Sequence, residues 1–152
     1  MCILYLYYSM KLVLDNVALT EDFFEDTFLL GIMAPVRNYH FCWHLNLHLG
    51  YNFRLNRDIN KELRKKKRDY YFEVYQHNEN DILTYYIIHN HCDGEYLLPE
   101  VKHIDFIFFM KGDIVDIEKC NDIITSIKSI ACVQMVVELS TEMLKNKGHL
   151  VF

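Results

Sequence analysis

Hydrophobic positions along this chain of 152 residues switch between two periods, and each switch marks an element. The run "DTFLLGIMAP" predicts a strand that stops at Pro35, which cannot donate to a ladder. "VRNYHFCWHLNLHLG" follows helical spacing and ends on Gly50, because glycine takes the left-handed C′ conformation without steric cost. Three stretches rich in aromatic and β-branched residues, "YNFRLNRD", "DYYFEVYQH" and "DILTYYIIHN", predict antiparallel strands, with "HNEND" as the hairpin loop between the last two. A fourth strand is expected after Pro99, with Ile104, Phe106, Phe108 and Met110 on one face and Asp105, Ile107 and Phe109 on the other. "KGD" closes it. In "DIEKCNDIITSIKSI" the residues Ile117, Cys120, Ile123, Ile124, Ile127 and Ile130 keep helical spacing, and Asp116 is the expected N-cap. "CVQMVVEL" returns to strand, and "STEMLKNKG" predicts a short helix capped by Ser140 and stopped at Gly148.

The order β-α-β-β-β-β-α-β-α predicts an α+β fold. Its sheet, antiparallel or mixed, has about six strands, with two main helices packed on it and a short C-terminal helix. No repeat, low-complexity run or linker divides the chain, so residues 10–152 read as a single domain large enough for one core. The opening "MCILYLYYSM" is about half a membrane span and lacks a basic n-region and a cleavage site. Met10-Lys11 offers another start, so residues 1–9 read as a non-structural extension.

Composition narrows function more than fold. A hydrophobic fraction of 51% excludes disorder, and a net charge of −5 provides no overall basic field to draw nucleic acid or an anionic membrane. Cysteines 2, 42, 92, 120 and 132 are odd in number and dispersed, which favours free thiols in a reducing cytoplasm over a disulfide framework. There is no P-loop, dinucleotide fingerprint or nucleophile elbow, and the glycines (31, 50, 94, 112, 148) read as isolated stops and turns. No catalytic residue or cofactor follows from these patterns.

Four clusters could carry chemistry. His40, His44 and His48 recur at the spacing that chelates metal, but with Arg37 they form a narrow strip without a carboxylate. They read as the polar strip of a largely buried helix, so no metal site is assigned. "HNHC" (His89, His91, Cys92) lacks the second spaced pair of a zinc site. Lys61, Arg64, Lys65, Lys66, Lys67 and Arg68 form a basic segment beside aromatic strands, a combination that can hold nucleic acid or simply form a solvated loop. Asp93, Glu95, Glu100 and Asp105 form a loose acidic group, useful for acid–base work only if the fold fixes their separation.

Leu98-Pro99-Glu100, three further residues and Ile104-Asp105-Phe106 resemble the signature of the bacterial IPExxxVDY family. Pro99, Glu100 and Asp105 match; Leu98, Ile104 and Phe106 stand for Ile, Val and Tyr. "MKLVLD", the helix ending in "LG" and the terminal "LVF" extend the likeness. The family is uncharacterised, so the resemblance implies no catalytic residue. Physically, Pro99 suits the start of a strand and Glu100 the solvent beside it. Asp105 interrupts an apolar run, so it needs a partner, either loop backbone N–H groups or a basic side chain. The leading expectation is a small non-enzymatic cytoplasmic protein that binds another protein, a role that the 11 tyrosines suit. RNA or DNA binding through 61–68 comes second and an enzyme third; no membrane partner is expected.

Overall fold

The computed structural model describes residues 17–59, 61–113 and 116–152. The expected extension over 1–9, the start at Met10, Cys2 and the "MKLVLD" segment lie outside the described residues.

A helix (α1, 17–25) precedes strand β1 (Thr27–Met33), which ends before Pro35 as expected. Helix α2 (Asn38–Leu49) follows and stops at Gly50, whose φ of 67° is the left-handed cap that glycine permits. After β2 (Arg54–Leu55), a separate hairpin of β3 (Lys61–Lys65) and β4 (Arg68–Phe72) leads into β5 (Val74–Asn80) and β6 (Leu83–His89). A second small hairpin, β7 (His91–Cys92) and β8 (Glu95–Tyr96), precedes β9 (Phe106–Gly112). Helix α3 (Ile117–Lys128), capped by the Asp116 carboxylate on the Lys119 N–H at 2.6 Å, leads to β10 (Met135–Glu138).

The main sheet has six strands in the order β10-β1-β9-β6-β5-β2, and each pairing is antiparallel. The chain is therefore α+β, with three α-helices and ten strands among the described residues. The middle of β9 is buried from Phe106 to Met110 because both faces of the sheet are covered. Phe106, Phe108 and Met110 meet α2 and α3 through Phe41, Leu45, Ile123 and Ile127. Ile107 and Phe109 meet Phe24 of α1, Tyr70 and Phe72 of β4, and Leu144 and Leu150 near the C-terminus.

Several expectations need correction. "DYYFEVYQH" is two strands, because β4 pairs only with β3 while β5 joins the main sheet. The polar residues of "HNEND" extend β5 as far as Asn80, so the turn shrinks to Asp81 and Ile82; their polarity marks exposure rather than a loop. The basic segment is a hairpin and not a loop. Its alternating inner residues, Leu63, Tyr70 and Phe72, pack on the second core. "STEMLKNKG" forms short 3-10 turns at Thr141–Met143 and Lys147–Leu150, with no side-chain cap from Ser140 and with Gly148 inside the second. Leu144 and Leu150 anchor this segment instead of a continuous amphipathic face. Pro99 opens a 3-10 turn over Pro99–Val101, where its fixed φ also fits a first helical position. Ile104 lies ahead of the pleat and packs on the opposite core from Phe106. It sits over Gly31, where a Cβ would meet Ile104 at 3.0 Å, so that glycine is neither a stop nor a turn.

Candidate functional site

The motif residues come together as a structural knot. Asn90, fully buried just after β6, donates through Nδ2 to the carbonyls of Val101 and Ile104 at 3.1 Å each. Its side-chain oxygen accepts from the Leu98 N–H at 2.8 Å. Its backbone bonds Leu97 and Asp105 at 2.9 and 2.8 Å. The 97–105 segment thus wraps around one amide that satisfies its inward polar groups. Sequence reasoning missed Asn90; the hint was a lone amide closing the apolar run "YYIIHN".

Asp105 has the kind of partner expected, since the Ala34 N–H donates to its carboxylate at 2.8 Å. Glu100 differs from expectation. It is half-buried and accepts from the Asn146 backbone N–H and side-chain amide, both at 2.8 Å, so it ties down the C-terminal segment. Burial pushes the Glu100 carboxyl up. The hydrogen bonds from Asn146 and its own backbone N–H, with the nearby His149 charge, outweigh burial and hold it below the ordinary carboxylate range. Leu98, Ile104 and Phe106 are fully buried. The four acids do not converge: Asp93 pairs with Arg68, Glu95 with Lys65, Glu100 with Asn146 and Asp105 with Ala34.

Helix α2 is exposed where the sequence reading expected burial. Phe41, Cys42 and Leu45 face the core, while Tyr39, Trp43 and Leu47 are 59%, 54% and 61% exposed. Their i, i+4, i+8 spacing makes one apolar stripe. The helix lies on one face of an open sheet, so the sheet covers a single side of it. Beside that stripe the rings of His40 and His44 lie 4.7 Å apart, and those of His44 and His48 5.8 Å. Partial burial, then the charges of His40 and His48, lower the His44 pKa and keep its ring neutral near pH 7. Helix α2 carries no Asp, Glu, Lys or Arg.

At its N-terminal end the stripe runs into an open groove of about 580 Å³ lined by Pro35, Val36, Arg37, His89 and Asp105 together with Tyr39 and His40. His89 stacks on Phe106 with ring centroids 4.9 Å apart. Burial lowers its pKa; Asp105 opposes this, and His91 reinforces it. The remaining "HNHC" members sit on β7, where His91 pairs across to Tyr96. Among the described residues no group of three or more His, Cys, Asp or Glu is placed to hold a metal. Burial, with Glu73 nearby, pushes the Cys42 thiol up to about 12, and burial also raises Cys120 and Cys132, so none of these is a poised nucleophile.

Within the basic segment, Lys61 is 6% exposed and donates to the Val151 carbonyl. Desolvation lowers its pKa to about 8. Lys65 and Arg68 are ion-paired to Glu95 and Asp93 at 2.9 and 2.8 Å. Lys66 and Lys67 at the tip make no ion pair among the described residues, and Arg64 reaches Asp69 only at 3.8 Å. The six cations therefore do not act as one surface. No helix among the described residues is long and apolar enough to cross a membrane. No protein-family model matches the chain, and no curated protein matches it.

Proposed function

We propose that this protein is a non-enzymatic binding module that docks another protein on the outer face of α2 and in the adjoining groove. The observation that carries this reading is the uncovered Tyr39–Trp43–Leu47 stripe on a helix without formal charge. Aromatic and apolar side chains with few charges mark the buried centre of interfaces rather than ordinary surface. The partner that fits is an apolar protein segment, with hydrogen-bonding groups for Asp105 and Arg37 in the groove. Against an enzyme stand the scattered carboxylates and the thiols raised by burial. We also propose that the chain is a divergent IPExxxVDY member in which residues 98–106 support the groove from behind.

Trp43 is the sole tryptophan, so its fluorescence reports directly on this face. Affinity capture with nuclease treatment, comparing wild type and Trp43→Ala, should identify a partner that resists nuclease and is lost in the variant. Adding that purified partner should then blue-shift the emission. Equal recovery of the same proteins by both chains, or no spectral change on adding them, would remove the reading. A blue shift that grows with the protein's own concentration, with no partner present, would replace it with self-association.

A further inference from the structure

The β3–β4 and β7–β8 hairpins lie side by side and turn the same way with opposite chemistry. In β7–β8 the central turn residues are Asp93 and Gly94, with φ of 49° and 88°. Asp-Gly is a favoured pair where both central residues need positive φ. In β3–β4 the same positions hold Lys66 and Lys67, with φ of 51° and 64°. Lysine has a Cβ that disfavours this conformation and no short polar side chain to compensate locally. Neither lysine is buried, and neither forms an ion pair among the described residues. Among the described residues the fold uses neither charge, which leaves two unpaired cations held side by side at the tip.

The neighbouring tip supplies the second observation. The Glu95 carboxylate lies 2.9 Å from Lys65, and the Asp93 carboxylate 2.8 Å from Arg68. The hydrogen bond from Lys65 lowers the Glu95 pKa; desolvation opposes it, and the charges of Lys65, Lys66 and Lys102 add to the lowering. The acidic turn thus occupies an anion seat made by the basic one. The ribbon β3–β4 is a sheet of its own whose base packs on the second core through Leu63, Tyr70 and Phe72, while its tip is exposed, and a two-stranded ribbon tip is narrow enough to meet a major groove. Its tip, residues 64–69, carries no apolar side chain to insert into a lipid surface.

We propose that the β3–β4 tip binds the phosphate backbone of duplex nucleic acid, with Asp93 and Glu95 as a built-in competitor. Lys66 and Lys67 make the first contacts. Lys65 and Arg68 become available as phosphates displace the two carboxylates. This contact lies apart from the α2 face and does not depend on it.

The test is binding of a labelled duplex of about 20 base pairs from about 20 mM salt upward, where each phosphate neutralised adds roughly −0.9 to the log–log salt slope. Lys66→Asn with Lys67→Gly installs the favoured turn pair. It should raise the melting temperature, weaken binding about tenfold or more, and flatten the slope by roughly two phosphates. Asp93→Asn with Glu95→Gln should tighten binding about threefold or more at low salt. The proposal is overturned if neither wild type nor the acid-neutralised variant binds at low salt. It is equally overturned if the Asn-Gly variant gains stability and binds as before. Binding confined to tripolyphosphate or to phosphatidylserine vesicles would reject nucleic acid as the ligand.

Discussion

The 97–106 segment and the outer face of α2 exchange roles between sequence and structure. The segment has a proline, two acids and a family-like motif, yet its groups are nearly all consumed inside the molecule: Asn90 holds its backbone, Asn146 takes Glu100 and Ala34 takes Asp105. The helix reads as a buried strut, yet Tyr39, Trp43 and Leu47 are each more than half exposed, and among the described residues the rings against Trp43 are those of its helix neighbours His40 and His44. Polar residues with fixed partners are explained by folding. Large apolar residues without partners are not, so function is better sought on the helix. If this contrast is right, mutations in the two regions must differ sharply in their effect on stability.

Asn90→Ala should show the largest effect. It strands the Leu98 N–H and the Ile104 carbonyl, both buried, while the Val101 carbonyl keeps only the Ile104 N–H. With each unsatisfied group costing about 1–3 kcal/mol and partial relaxation, we expect a loss of about 3 kcal/mol by urea unfolding. A loss under about 1 kcal/mol would mean that the segment holds itself together without the amide, and the contrast would fail on this side. Asp105→Ala should cost less, about 1–2 kcal/mol, since it removes a single acceptor, that of the buried Ala34 N–H. Asp105→Asn keeps an oxygen in place and should fall between this variant and wild type.

How much was legible beforehand follows from what each residue contacts. Period and punctuation located β1, α2 with its Gly50 stop, and α3 with its Asp116 cap, because those features act over a few neighbouring residues. The need of Asp105 for a partner was readable from the cost of a carboxylate in an apolar run, and a backbone N–H meets it. The reach of Glu100 to Asn146, 46 residues away, was not readable, since only the tertiary fold brings them together. Nor was the exposure of α2. Its composition is apolar nearly all round, which fits a buried helix and a helix with an interaction face equally well. Likewise the "KKKR" run reads as a solvated loop because loops commonly carry charges, and its place as the turn of a hairpin depends on the pairing of β3 with β4.

Acid should act more gently and on both regions. Burial is the first cause lowering the pKa values of His44, His77 and His89, with Glu79 opposing it at His77 and Asp105 at His89. For a histidine held below its unfolded value of 6.5, the unfolded chain takes up protons first. The stability contribution is therefore full above 6.5 and is lost as pH falls through the folded values. Glu100 is likewise held below its ordinary value of 4.5, so its contribution stays full above that and drains away only in stronger acid. The melting temperature should decline in two stages, the first below pH 6.5 and the second below 4.5. Glu100→Gln should blunt only the second. If it blunts the first as well, the histidines are not its source.

The smallest effect is the most telling for function. Trp43→Ala removes a ring that is already 54% exposed and touches mainly the edges of His40 and His44. The stability change should stay within about 0.5 kcal/mol, as for surface positions with no buried partner. A residue kept for packing would cost several times that when truncated to alanine. If urea unfolding gives about 2 kcal/mol or more, Trp43 is a structural residue whose exposed edge is incidental, and α2 joins the 97–106 segment as a part explained by folding. If the loss is negligible while partner capture disappears, stability and binding separate at a single side chain. The exposed stripe then has no explanation left within the fold, and its apolar area belongs to an interface.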